Sequence, residues 1–331
     1  MNPDRHPFRP GPVLGNPHVQ SVLTSSPLRR RYLQRRASDY LARSQQRILE
    51  ASDGTRLLGF ANQTAHSTPN ARPLVILLHG WEGSSESNYL LSTAVALDDA
   101  GFDTFRLNFR DHGPSHHLNP GLFHSCLLDE VLDAVAQVAQ PHRDGPVFLV
   151  GFSLGGNFTL RVARHASRRE IPLEKAFAVS PVIDPANVLV ALEQAPLIYH
   201  YYFVRKWRRS LRVKQALHPD RYAFDDWFRL ASLRDQTDWL VRHQTDFQTL
   251  GEYLDGYSVA GDYLKGLDVA TTIVTAADDP IIPVADFEAL PKLSSLSVEI
   301  VPQGGHCGFI ENWRMASWIE KRLIGELCQS I

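Results

Sequence analysis

Val147-Phe148-Leu149-Val150-Gly151-Phe152-Ser153-Leu154-Gly155-Gly156 is the stretch whose reading decides the fold. Val147–Val150 is a fully apolar run of strand length, stopped by Gly151, and Leu154–Ala166 carries helical spacing. A strand that enters a helix through Gly-x-Ser-x-Gly predicts a sharp, strained turn that pushes Ser153 Oγ into the open. Gly151 and Gly155 leave room where a Cβ would clash. The helix beginning at Leu154 aims its unpaired N–H groups and the positive end of its dipole at the same point. Gly-x-Ser-x-Gly by itself recurs by chance. The strand before it and the helix after it favour a nucleophilic Ser153 over a serine that only caps a helix.

Working outward, strand and helix patterns alternate. Arg47–Ala51 and Arg56–Ala61 flank Ser52-Asp53-Gly54 and predict a hairpin. Asn62–Arg72 reads as a polar loop. Leu74–Leu78, Thr104–Phe109, Lys175–Val179, Thr271–Ala276 and Ser297–Val301 read as strands. Asn88–Ala100, Cys126–Ala139 and Gly308–Leu327 read as helices between or after them. This alternation predicts a mostly parallel, doubly wound sheet. Residues 184–267 break the rhythm, with helical spacing and no core strand. They predict a helical insertion placed over the carboxyl ends of the strands, where such sheets bind ligands. Residues 1–45 are polar, with Arg29, Arg30, Arg31, Arg35 and Arg36 close together, and read as an arm of short helices over a larger body of residues 46–331.

A serine nucleophile needs a base, and the base needs a carboxylate to orient it. Gln303-Gly304-Gly305-His306-Cys307-Gly308-Phe309 follows the last strand and places His306 at the carboxyl edge of the sheet. The flanking glycines predict a close approach to the serine. Thr271–Ala276 runs into Ala277-Asp278-Asp279-Pro280-Ile281-Ile282-Pro283, so Asp278 and Asp279 both stand where the acid belongs. The developing oxyanion needs two N–H donors. Leu154, the residue after the nucleophile, supplies one. The loop after Leu74–Leu78, His79-Gly80-Trp81-Glu82-Gly83, supplies the other, by position from Trp81. His79 and Gly80 are then structural.

Composition narrows the function classes. Of 331 residues 44% are hydrophobic and 21% charged, as in a globular protein rather than a disordered one. Lys+Arg 34 against Asp+Glu 36 leaves no basic excess for a nucleic-acid backbone, so nucleic acid is not an expected partner. Cys126, Cys307 and Cys328 show no CxxC spacing, which speaks against a disulfide framework or a zinc site and fits a reducing cytoplasm. Met1–Pro10 lacks the apolar core of a signal peptide, and no run approaches the roughly 18 apolar residues of a membrane span.

Taken together, these residues resemble the α/β-hydrolase superfamily, and within it the YheT-like family of bacterial esterases, related to the mammalian α/β-hydrolase-domain lipid hydrolases. Further markers are Asn16-Pro17-His18-Val19-Gln20-Ser21, His79–Ser85 with Tyr89, and Asn108-Phe109-Arg110-Asp111-His112-Gly113. The resemblance selects Asp279, which stands one residue before a short apolar pair and a proline. It implies an α/β-hydrolase fold with residues 184–267 as a helical lid. It also implies hydrolysis of carboxylic esters, among them acylglycerol or other lipid esters, through Ser153, Asp279 and His306, with no cofactor and no metal. Many relatives have an Arg-Gly loop where this chain has Arg110-Asp111-His112-Gly113-Pro114. The alternatives are an acyltransferase or peptidase on the same triad, or a binding protein whose lid blocks the serine.

Other signals have plainer readings. His112, His116, His117 and His124 share one stretch, but Pro114 interrupts any helix that would aim them together, and they read as loop and pocket-rim histidines rather than metal ligands. His124 and Asp129 read as helix-start residues. Tyr199–Lys214 mixes aromatics with Arg205, Lys206, Arg208, Arg209 and Arg212, the makeup of a lid helix touching anionic lipid. The simpler reading is a core face and a solvated basic face. Gly256 and Gly261 have P-loop spacing, but Asp262 stands where lysine is required. Cys307 reads as a packed thiol.

Overall fold

The computed structural model describes residues 7–64 and 72–331. Part of the expected Asn62–Arg72 loop, and Met1–His6 of the polar N-terminus, lie outside the described residues. The chain opens with three helices, α1 (Pro17–Thr24), α2 (Pro27–Arg36) and α3 (Ser38–Ala42). Asn16 and Ser26 cap the first two with side-chain oxygens, and a proline follows each cap, where its missing N–H costs nothing.

Strands β1 (Gln45–Glu50) and β2 (Arg56–Asn62) form the expected antiparallel hairpin. After β3 (Leu74–Leu78) come α4 (Asn88–Asp99), β4 (Asp103–Leu107), α5 (Leu128–Ala139), β5 (Val147–Phe152), α6 (Leu154–His165) and β6 (Lys175–Val179). Among the described residues, eight strands make one sheet in the order β1-β2-β4-β3-β5-β6-β7-β8, where β7 is Ala270–Ala276 and β8 is Leu296–Val301. Pairing is antiparallel at β1–β2 and β2–β4 and parallel from β4 onward.

The apolar alternation within β3 explains why both faces of the sheet are covered. Val75 and Leu77 face a core that includes Leu90 and Ala94 of α4, together with Trp318 and Leu323 of the last helix. Leu74, Ile76 and Leu78 face one built with Val131 and Val135 of α5 and Phe158 and Val162 of α6. A strand buried on both sides is apolar at every position, as Leu74–Leu78 is.

Between β6 and β7 the chain runs through α7 (Pro185–Gln194), α8 (Leu197–Leu217), α9 (Asp225–Arg229), α10 (Leu233–Gln244) and α11 (Leu250–Asp255). Helices α7, α8, α10 and α11 share a core with Leu160 of α6 and with Ala178 and Ile273 of the sheet. The short α12 (Val284–Glu288) follows β7, and α13 (Trp318–Leu327) is the last α-helix, with a single 3-10 turn (Cys328–Ser330) after it.

Several expected boundaries differ by one or two residues or more, and three of these have a visible cause. Strand β5 does not stop at Gly151 but continues to Phe152, because Phe152 still pairs with Val179 of β6. Strand β4 ends at Leu107, not Phe109; beyond it Asn108 bonds to Leu58 and Phe109 turns into the core. The helix expected over Gly308–Leu327 forms only from Trp318. Before it, Phe309 and Met315 have positive φ and Ile310 bridges Ser317, so the chain loops back on itself first.

Candidate active site

Ser153 sits where β5 turns into α6, with φ 54° and ψ −119°. That backbone is uncommon for a residue with a Cβ and stores on the order of 1–3 kcal/mol. The surroundings hold it there: Ser153 N–H donates to Val179 O at 2.9 Å, and Ser153 O accepts from Asn157 N–H at 3.0 Å. The two glycines of the motif are forced by packing. A Cβ on Gly151 would lie 2.1 Å from Gly155 O, and one on Gly155 would lie 2.4 Å from Leu78 O.

The structure brings His306, Asp279 and Ser153 together. His306 Nε2 is 2.9 Å from Ser153 Oγ, and His306 Nδ1 is 2.9 Å from Asp279 Oδ2. The Asp279 side chain is fully buried, and its other oxygen accepts N–H bonds from Ile281 and Ile282 at 2.8 and 3.0 Å. Both N–H bonds fix the carboxylate's direction. Asp278 points elsewhere: its Oδ1 accepts from Gly305 N–H at 2.9 Å and so ties the acid loop to the histidine loop. Burial raises the Asp278 carboxyl above its ordinary value. Burial lowers His306, but the charge and hydrogen bond of the facing Asp279 carboxylate, together with Cys307, outweigh it and hold the imidazole well above its ordinary value.

The N–H groups of Trp81 and Leu154 have no hydrogen-bond partner among the described residues. Leu154 is the first residue of α6, so its N–H has no acceptor within the helix. The Trp81 loop is pressed against the serine, since a Cβ on Gly80 would come within 3.1 Å of Ser153 Cβ. Gly80 N–H donates to Tyr89 OH at 2.8 Å. His79 is buried and structural: its Nε2 accepts Phe109 N–H at 3.2 Å, so its Nδ1 carries the proton and donates to Gly80 O at 2.8 Å. Burial lowers its pKa to about 4, which keeps it neutral. Glu82 follows with φ 54°, and burial pushes its carboxyl up to about 8.

The arm takes part in the site in a way the sequence reading missed. Ser21 Oγ accepts His306 N–H at 2.8 Å, Thr24 Oγ donates to Cys307 O at 3.1 Å, and buried Gln20 bonds both the N–H and the C=O of Ile310. This corrects the reading of the flanking glycines. A Cβ on Gly305 (φ +55°) would meet Pro17 O at 2.3 Å, and one on Gly308 would meet Gln20 Cβ at 2.7 Å. Those glycines admit α1, not the serine. The available signal was the polar set Gln20, Ser21 and Thr24, spaced to share one helix face.

His112 is buried, donates from Nδ1 to Arg110 O and accepts Glu82 N–H at Nε2, while His116 bonds Ser210 Oγ. Among the described residues no group of three or more metal-ligating side chains converges. His124 and Asp129 do not cap α5, whose N-cap is Leu127; the His124 ring packs against Phe247 and Tyr253, and Asp129 pairs with Arg169. The basic residues of α8 divide. Arg205, Arg209 and Arg212 are exposed. Lys206 donates to Glu82 O, Arg208 to Phe228 O, and Lys214 is buried against Asp111. Cys307 is buried, with its Sγ 3.8 Å from Val179 O. Among the described residues no helix is long and apolar enough to cross a membrane.

A family model described as alpha/beta hydrolase fold matches residues 73–312. The embryogenesis-associated protein EMB8 of Picea glauca is 23% identical over 322 residues, which cover 92% of this chain and 67% of that protein. The YheT protein of Escherichia coli (strain K12) is 25% identical over 269 residues, covering 76% of this chain and 75% of its own. Phospholipase ABHD3 of Homo sapiens is 19% identical, covering 82% and 67%. In structure, an esterase of Pyrococcus furiosus superposes with a TM-score of 0.60 at 14% identity, over 88% of this chain and 93% of that one. At that identity the likeness concerns the fold alone.

Proposed function

The chain belongs to the alpha/beta hydrolase fold family, and from that premise we propose that it is a serine esterase with Ser153 as nucleophile, His306 as base and Asp279 as the orienting acid. The observation that carries the reading is the pair of 2.9 Å contacts joining Ser153 Oγ, the two nitrogens of His306 and Asp279 Oδ2 beneath a strained strand-to-helix turn.

His306 Nε2 takes the proton as Ser153 Oγ attacks the ester carbonyl. The carbonyl oxygen, now negative, is received by the N–H groups of Trp81 and Leu154. Asp279 keeps the proton on Nδ1 and balances the imidazolium. The C–O bond to the alcohol breaks, and the alcohol leaves with the proton from Nε2. Water then gives its proton to His306 and attacks the acyl-serine, which releases the acid and restores the serine. No cofactor enters any step.

Helices α7–α11 serve as the lid of the site, and the apolar cavity they cover suits a lipid or other apolar ester. The relative named as a phospholipase supports that substrate class. Exposed Leu197, Ile198, Tyr201 and Tyr202 at the start of α8, followed by exposed Arg205 and Arg209, support peripheral contact of the lid with anionic lipid. The three cysteines are free, as a reducing cytoplasm would keep them. The test is cleavage of p-nitrophenyl esters by the wild type and by Ser153→Ala. Loss of turnover with an unchanged thermal melt is expected, and undiminished turnover in the variant overturns the reading.

A further inference from the structure

Two cavities reach Ser153, and a pair of stacked rings separates them. Trp81 and Phe203 lie with centroids 5.1 Å apart and planes at 18°, and both residues line both cavities. The first cavity lies among α7, α8, α10 and α11, with Leu189, Leu192, Leu233 and Leu254 in its wall. Leu154 lines this cavity and His306 does not. The second lies between the arm and the first turns of α8. Val22, Ser25 and Ser26 line it on the arm side, Ile198, Tyr199 and Tyr202 on the helix side, and His306 also lines it. The arm and α8 are joined across it by His18 Nδ1 and Tyr199 OH at 2.9 Å.

Acyl transfer assigns the two sides. The departing alcohol oxygen takes its proton from the imidazole, so the alcohol must lie beside His306. The acyl chain then extends to the other side of the serine, past Leu154. We infer that the first cavity takes the acyl chain and the second takes the alcohol, and that the N-terminal arm is the wall that selects the alcohol. This rests on Ser153 and His306 acting as proposed above.

The substrate class that follows is an ester with bulk on both sides of its carbonyl. The acyl side is walled mainly by apolar side chains, with Glu82, Asp111, His112 and His124 also on its lining. The alcohol side sets Ser25 and Ser26 of the arm across from Tyr199 and Tyr202 of α8, which suits a sizeable amphipathic alcohol. A methyl or ethyl ester would leave most of that cavity, about 390 Å³, unfilled, and would forfeit the contacts its walls offer.

The experiment measures kcat/KM on a two-way panel: short to long acids as methyl esters, and octanoic acid as its methyl, hexyl and glyceryl esters. Val22→Trp is expected to lower the hexyl-to-methyl ratio about tenfold while leaving the long-to-short acid ratio in place. Thr237→Trp, which narrows the first cavity, is expected to do the reverse. Val22→Phe and Leu192→Phe replace either variant if it does not fold. Exchanged effects, the same ratio moving in both variants, or neither ratio moving overturns the assignment. Fluorophosphonate labelling separates the two levels. Labelled Ser153 with undivided selectivity overturns the cavity assignment alone, whereas unlabelled Ser153 overturns the triad and the assignment together.

Discussion

Ser21 Oγ accepts the backbone N–H of His306 at 2.8 Å, across 285 positions of the chain. The same hydroxyl donates to Pro17 O at 2.7 Å within α1, so both of its roles are fixed by the arm helix. The loop that carries His306 is thus held on one side by Asp278, through Gly305 N–H, and on the other by α1. Ser21→Ala removes the acceptor and leaves a part-buried N–H unpaired, at a cost of about 1–3 kcal/mol. Steady-state kinetics are expected to show kcat lowered about tenfold with KM little changed, and Ser21→Thr is expected to recover most of it. A thermal melt lowered without any change in kcat would show that the arm only stabilises the fold.

Gly305 tests the same contact through the backbone. Its φ of +55° already disfavours a side chain, and a Cβ would run into Pro17 O. Gly305→Ala is expected to destabilise the protein by about 1–3 kcal/mol and to expose the arm to limited proteolysis. Gly325→Ala is the control. Gly325 lies inside α13 with nothing within 4 Å of its missing Cβ, so alanine there is expected to stabilise by up to about 1 kcal/mol.

The pH dependence follows from His306. The imidazole must be neutral to accept the serine proton, and the Asp279 carboxylate holds its value well above the ordinary 6.5 despite burial, which pulls the other way. Activity is therefore expected to be low in acid and to rise on the alkaline side of 6.5. Asp279→Asn removes the charge but keeps the burial, so its residual activity is expected to rise at lower pH, with kcat reduced by about three to four orders of magnitude. A rising limb at the same pH in both proteins would contradict this. The sign for stability is opposite. The raised value means that the pair stabilises the fold fully below the ordinary histidine value and loses that contribution as pH climbs through the folded one.

Lys214 and Asp111 fasten α8 to the loop after β4. Their charged atoms are 2.6 Å apart, both are buried, and Lys214 also donates to Asn119 O at 2.7 Å. Burial lowers the lysine and raises the aspartate, the direction that weakens both charges. Removing one partner strands the other, so Lys214→Met is expected to cost about 3–5 kcal/mol in denaturant unfolding. Lys214→Met with Asp111→Asn is expected to recover much of that loss, since the stranded charge is gone while the amide still accepts Phe123 N–H and tolerates the positive φ of that position. A double variant as unstable as the single one would place the cost in packing instead.

Where the sequence could be read, the cause was local. Leu74–Leu78 and Val147–Val150 are apolar at every position because both faces of the sheet are covered, and that pattern needs no knowledge of distant residues. Gly151 is similarly explained within ten residues of Ser153, by Gly155 O, whereas Gly155 is required by Leu78 O of the neighbouring strand. Distant contacts were not legible. The arm's hold on His306 depends on Ser21 and Gln20 meeting a loop almost 300 positions away, and the glycines of that loop were assigned to the wrong neighbour. The basic face of α8 likewise hid Lys214, whose burial is explained by Asp111 and Asn119 O, 103 and 95 positions earlier in the chain. The late start of α13 has the same origin, since Phe309 is drawn into the core beside Phe8 and Trp318 before the helix begins.

The most direct test of the central claim is peptide mass mapping of the wild-type protein after reaction with a fluorophosphonate. A single stoichiometric adduct on Ser153, absent in His306→Ala, is the expected result. An unmodified Ser153, or an adduct confined to another residue such as Cys307, would contradict it.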